Sequence, residues 1–278
     1  MLRAIKIRLY PNKEQVLKLN KVLVIPDIHC RTFWKEPCKH IENFEKVIFL
    51  GDYLDPYGFE GLTFEDGIKN LKEIIQLKKD NMDKVVLLYG NHDCPYAFEE
   101  YYDFSDYHSR HSKEYHDEVH QIFEENKNLF KFAFVVNDII FTHAGIESEW
   151  LDRIIKCNST DTNVICKEIN DLIHIPHGLR KLYYITSARG GMDRCGSCIW
   201  TDVYDMMWDV DSITSPDTII KPIHNIKQVF GHTIQAFYDK NGKIVFGNAI
   251  EFRNCKMLDA ARAYELDCDR FTITEIRG

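Results

Sequence analysis

Five short apolar runs, each stopping at an Asp, Asn or His, constrain this chain more than any other feature. They are KVLVIPDIH (21–29), KVIFLGD (46–52), KVVLLYGNH (84–92), FAFVVNDIIFTH (132–143) and KQVFGH (227–232). Consecutive β-branched and apolar residues are the pattern of strands covered on both faces. Between the second and third runs lies FEDGIKNLKEIIQLKK (64–79), whose Ile68, Leu71, Ile74, Ile75 and Leu77 fall on one helical stripe. The resulting β-α-β alternation predicts parallel strands, and polar groups at the carboxyl ends of such strands converge on one crevice. Further on, FYDKNGKIVFG (237–247) carries an Asn-Gly hairpin signal, so the C-terminal third reads as more antiparallel.

The strand ends supply Asp27, His29, Asp52, Asn91, His143 and His232, with no cysteine among them. Hard oxygen and borderline nitrogen donors suit divalent first-row ions such as manganese, iron or zinc, and this set is large enough for two of them. A lone His behind a strand is usually structural. Five strand ends that all present ligand-type side chains point to a metal site.

The matches DIH, GDYLD, GNHD, THAG and GHT, in that order across residues 27 to 233, resemble the calcineurin-like metallophosphoesterase superfamily. The resemblance implies an α/β fold of four layers, a helix-sheet-sheet-helix sandwich with two mixed sheets. It implies that Asp27, His29 and Asp52 hold one metal and that Asp52 bridges to a second, completed by Asn91, His143 and His232. It makes His92 the acid that protonates the departing alkoxide, with Asp55 as its orienting carboxylate. The implied activity is two-metal hydrolysis of phosphoesters, on a phosphorylated protein or small molecule. Residue 234 is Ile where phosphodiesterase branches place a second His after GH. That feature, with the GSCIWTD element (196–202), is closer to Ser/Thr phosphatases and diadenosine tetraphosphate hydrolases, and favours monoesters. Hydrolysis of diadenosine polyphosphate or of nucleotide or nucleic-acid phosphate, and a catalytically silent metal-stabilised binding scaffold, are the alternatives.

One departure matters. Pro56 stands where those enzymes carry an arginine that grips the phosphate, so another cation must do so. The Gly-rich stretch SARGGMDRCGS (187–197) offers Arg189 first and Arg194 second, guanidinium being the natural bidentate partner of phosphate. The connection over 96–123, with His108, His111, His116 and His120, reads as a lid or substrate-facing helix, and 147–173 as helical packing.

Charge excludes general binding to a phosphate backbone. Residues 1–21 carry six basic side chains and one acidic, leaving 29 basic against 42 acidic in the remainder. The first twenty residues resemble the opening segment of OrfB-type transposon proteins and read as a peripheral extension to a hydrolase domain at 21–278. Nucleic acid is expected, if at all, only there. No apolar stretch is long enough to span a bilayer, and nine scattered cysteines read as reduced thiols, so a cytoplasmic protein is expected. Cys195 and Cys198 form a lone C-x-x-C, a weak zinc signal without a second pair.

Overall fold

A computed structural model describes residues 20–102, 109–207, 223, 225–234, 236–238, 240 and 244–276. The N-terminal extension up to residue 19, His108 and the Asn241-Gly242 turn signal lie outside the described residues.

Strands β1 (Lys21–Ile25), β2 (Lys46–Phe49), β3 (Val85–Leu88) and β4 (Phe130–Lys131) run parallel. Strands β5 (Ala133–Val136), β6 (Ile139–Thr142) and β7 (Lys227–Phe230) belong to the second sheet, where β6 and β7 are parallel. After them come β8 (Ala236–Tyr238), β9 (Ile244–Phe246), β10 (Ile250–Phe252), β11 (Cys255–Met257), β12 (Ala263–Asp267) and β13 (Thr272–Ile276). One sheet has the order β13-β12-β1-β2-β3-β4 and the other β10-β11-β7-β6-β5, while β8 and β9 pair as a separate ribbon. Antiparallel pairing of β12 with β1 and β13, and of β11 with β10, makes both large sheets mixed.

Alternation along β1 to β3 shows how two layers of core are filled. Val22, Val24, Ile48, Leu50, Val86 and Leu88 pack with Ile139, Phe141 and Val229 of the other sheet. Leu23, Ile25, Val47, Phe49, Val85 and Leu87 face the opposite way, into the cluster that holds the helical residues Ile68, Leu71, Ile74 and Ile75. Those four lie on α1 (Phe64–Asp80), which starts where the Thr63 side chain accepts from the Asp66 N–H. Across the second sheet, Ile140 shares that cluster with Ile165 and Ile169 of a second helix, Thr162–Asn170. Two mixed sheets face each other and helices cover their outer faces, as the sequence resemblance implies.

The run 132–143 is not one strand. Asn137 and Asp138 adopt φ of 47° and 62°, the left-handed pair of a two-residue hairpin turn, and fold β5 back on β6. The Asn-Asp pair is the local signal, hidden inside an apolar run. The sequence reads Phe237, Phe246, Phe252 and Phe271 as core residues, but Phe246, Phe252 and Phe271 are only half-buried, and the Phe237 side chain lies outside the described residues.

Candidate metal centre

All five strands that precede the polar residues point the same way, so β1, β2, β3, β6 and β7 deliver Asp27, Asp52, Asn91, His143 and His232 to one edge of the sandwich. Backbone bonds lock the turns together. His29 N–H donates to Asp52 O at 2.6 Å and Cys30 N–H to Tyr53 O at 3.0 Å, while Gly231 N–H donates to His143 O at 2.7 Å. The two sheets are tied by the His232 N–H, which donates to Asp27 Oδ1 at 3.0 Å.

Two glycines are required here. Gly51 has φ of 110°, and a Cβ on it would lie 2.4 Å from the Gly90 nitrogen; a Cβ on Gly90 would lie 2.1 Å from Asp52 Oδ1. The turns after β2 and β3 therefore touch backbone to backbone. Asp93 joins them: its Oδ2 accepts from Gly90 N (2.7 Å) and Asp52 N (2.8 Å), and its Oδ1 from Tyr53 N (2.9 Å). His29, Asp52, Asp55 and His232 all have positive φ, between 42° and 70°, an uncommon conformation for side-chain-bearing residues.

Hydrogen bonds fix the imidazole tautomers. His29 Nδ1–H donates to Leu54 O at 2.9 Å, and His143 Nδ1–H to Leu50 O at 2.9 Å, so each turns Nε2 inward. His29 Nε2 lies 3.4 Å from Asp52 Oδ2. His143 Nε2 lies 2.9 Å from Asn91 Oδ1, 3.3 Å from Asp52 Oδ2 and 3.1 Å from His232 Nδ1. Lone pairs thus converge without a hydrogen to share, and His232 Nε2, also buried, has no hydrogen-bond partner. Such an arrangement calls for a cation. In the protein alone a proton takes that place: burial opposes the charge, yet Asp52 and Asp27 push His143 up to about 9. Burial opposes ionisation of Asp52 as well, but His143, His92 and His29 hold it well below the usual carboxylate range. Burial keeps His29 and His232 neutral, as ligands must be.

Two groups of potential ligand atoms share Asp52: His29, Asp52 and His92, and Asp52, His143 and His232, the atoms of each lying within 4.8 Å of one another. These donors fit a pair of divalent cations. Asp27 is buried beside them, its Oδ1 3.9 Å from His143 Nδ1, and burial pushes its carboxyl upward. His92 is committed differently from the other imidazoles. Its Nδ1 lies 2.7 Å from Asp55 Oδ2, and Asp55 Oδ1 accepts from the Tyr96 hydroxyl at 2.7 Å. That leaves His92 Nε2 for the cavity.

Of the two arginines singled out in the Gly-rich loop, the fold brings one to the site. Arg189 lines a cavity of about 460 Å³ with His29, Asp52, Asn91, His92 and His232. Its Nη2 donates to Thr233 Oγ1 at 2.7 Å and its Nε lies 2.7 Å from Asp202 Oδ2, so the WTD element positions it. Arg194 instead pairs with Glu149 at 3.1 Å, away from the cavity, because the loop turns its side chain toward 147–155. Arg31 is also spent, its Nε and Nη2 held by Glu60 at 2.8 and 2.9 Å. Asp93, Tyr96, Tyr57 and Arg110 also build the site, beyond the residues that the motifs name. Asp93 closes the GNHD motif and was visible there; Arg110 has no local signal at all. His116 and His120 stack at 5.8 Å on the helix His116–Asn126, and His120 Nδ1–H donates to Tyr96 O at 2.8 Å. No group of three metal-type ligands forms there or at Cys195 and Cys198 among the described residues, and all nine cysteines are free.

Among solved structures, the chain is similar to a cold-active protein tyrosine phosphatase, at 15% identity over 93% of this chain and 79% of that one, with a TM-score of 0.49. It is similar also to a protein serine/threonine phosphatase from Saccharomyces cerevisiae with similarity to human phosphatase PP5, at 13% identity, 91% and 75% coverage and a TM-score of 0.49. No curated protein matches. A helix-turn-helix domain of OrfB type matches residues 1–25. The family model for calcineurin-like phosphoesterases matches residues 20–235, and the chain belongs to that family of metal-dependent hydrolases of phosphoester bonds.

Proposed function

We propose that this chain hydrolyses phosphomonoesters at a two-metal centre in which Asp52 is shared. Asp27, His29 and Asp52 would hold one ion, and Asp52, Asn91, His143 and His232 the other. The observation that carries the reading is the convergence of His143 Nε2, Asn91 Oδ1 and Asp52 Oδ2, buried and within 2.9 to 3.3 Å, which only a proton or a metal cation can bridge. When bound, a pair of divalent cations polarises the phosphoryl group and acidifies water to the point of attack at neutral pH. The donor set suits manganese, iron or zinc.

The protein's own groups do the rest. Asp55 accepts the Nδ1–H of His92 and so fixes the tautomer that presents Nε2 to the leaving oxygen, which it protonates as the ester bond breaks. Tyr96 holds Asp55 in place, and Arg189, aimed by Asp202 and Thr233, binds a phosphoryl oxygen. Ile234 in place of a further ligand His favours monoesters over diesters. Residues 21–278 are read as the hydrolase unit, with 1–20 peripheral to it, and the nine free cysteines support a reducing, cytoplasmic setting.

The test is a panel on metal-reconstituted protein: an aryl phosphate, its diester, a phosphopeptide and diadenosine tetraphosphate. Faster turnover of the monoester than the diester is expected at matched metal loading. Faster diester turnover moves the enzyme to the phosphodiesterase branch.

A further inference from the structure

Arg189 is not the only cation on the cavity wall. Arg110 lines it too, at the other end of the centre: Arg189 bonds Thr233 next to His232, whereas Arg110 reaches the Asp55 carbonyl and lies beside His29. We propose that Arg110, resting on Tyr57, is a second anion-binding cation that holds a substrate phosphate oxygen at the His29 end of the site. The proposal rests on the phosphoesterase reading of this centre and adds a residue to it.

Three observations converge. The Arg110 guanidinium lies over the Tyr57 ring with its carbon 3.9 Å from the centroid, and Nη2 donates to Asp55 O at 2.8 Å. Tyr57 is itself fixed, edge-on to His29 at 4.9 Å and stacked on Phe59 at 5.4 Å. A guanidinium stacked on a ring through its face keeps its N–H groups in the plane, where an anion is met in a two-point fashion.

The second observation is charge. Arg31, Arg189 and Arg194 each face a carboxylate, from Glu60, Asp202 and Glu149. Among the described residues, no carboxylate pairs with Arg110. Its other neighbour is His29 Nδ1 at 3.3 Å from Nη2, and that nitrogen spends its proton on Leu54 O, so two donors face each other and no bond forms. Arg110 is exposed, so its remaining N–H groups are hydrated and open to an anion entering the cavity. The same charge then stabilises the bound anion, although water at the exposed guanidinium screens part of that attraction.

The third is the anchor. Pro56 has no side-chain donor, yet the residues on both sides of it, Asp55 through its carbonyl and Tyr57 through its ring, hold Arg110. The guanidinium is therefore delivered from a connection 55 residues downstream of Asp55 to the turn that also orients His92.

The experiment uses the full chain loaded with metal and inorganic phosphate as the probe, with binding read by calorimetry and inhibition read against an aryl phosphate. Arg110→Ala should weaken phosphate roughly 10- to 100-fold, the loss of one charge-assisted contact, at unchanged metal content. Arg110→Lys should recover part of it, and Tyr57→Phe, which keeps the platform, should bind as wild type. Wild-type phosphate affinity in Arg110→Ala overturns the proposal. So does loss of metal in parallel with phosphate, which would make Arg110 a prop for the His29 turn. If the wild-type protein binds phosphate but turns over no ester, the hydrolase reading fails while the comparison of phosphate affinities still decides the role of Arg110.

Discussion

Replacing Asp93 with Asn removes one oxygen acceptor and changes little else in shape. Asp93 Oδ2 accepts two backbone N–H bonds and Oδ1 one. An Asn can turn its carbonyl oxygen toward Gly90 and Asp52, but its NH₂ then faces the Tyr53 N–H, donor against donor. One charge-assisted bond, about 1.5 to 3 kcal/mol, is lost and the other two become neutral bonds. Loss of the buried charge offsets part of this, because burial and Asp52 push the Asp93 carboxyl up to about 8 despite those donors, and the comparison is made above pH 8, where the carboxylate is ionised. The net cost should be about 2 kcal/mol, roughly 4 to 6 °C in Tm. Since the Asp52 turn is released, metal content should fall with it. Urea unfolding with and without chelator, together with elemental analysis, separates the two effects. Wild-type stability and full metal occupancy in Asp93→Asn would refute the reasoning that this carboxylate knits the two turns.

Further outcomes are expected. Asp52→Ala should deplete both ions, and Asn91→Ala mainly the second; intact two-metal occupancy in Asp52→Ala would count against the shared carboxylate. His92→Asn should leave metal content nearly unchanged and lower kcat roughly 10²- to 10⁴-fold for alkyl phosphates, less for nitrophenyl phosphate, whose leaving group needs no proton. Equal losses on both substrates would remove His92 from the acid role. In chelated protein, His143 is raised to about 9, so its stabilising charge is present below about 6.5 and lost as pH climbs through 9. Glu147, which burial pushes up to about 8, adds to the fall in the same direction. Metal loading should flatten the His143 part of that slope, and denaturation midpoints across pH 6 to 9 with and without chelator measure the difference. Finally, Asp202→Asn should weaken phosphate binding several-fold without touching metal content, because Arg189 loses its carboxylate partner.

The strand ends could be read from sequence because each is a local event, an apolar run that stops at a ligand-type side chain. Asp27, Asp52, Asn91, His143 and His232 then needed only parallel strands to meet. The β5–β6 hairpin was missed because Asn137 and Asp138 sit inside a run whose hydrophobicity is nearly unbroken. Arg189 and Arg194 lie five residues apart in one loop, and nothing local separates them. The distinction comes from Asp202 and Glu149, contributed by other segments. Arg110 meets Asp55 only through the tertiary fold, with no motif to announce the contact. Asp93 was in plain view within GNHD, but its role lies in three backbone N–H groups, which side-chain identities do not reveal.

The left-handed backbone at His29, Asp52, Asp55 and His232 sets chemistry against foldability. A glycine at each of these positions would relieve about 1 kcal/mol of torsional cost and would also delete the side chain the site depends on. Selection for catalysis and selection for stability therefore pull on the same four codons in opposite directions. A descendant of this chain freed from catalysis would drift toward glycine first at these turns, and that substitution pattern, at otherwise well-packed strand ends, would mark an abandoned enzyme.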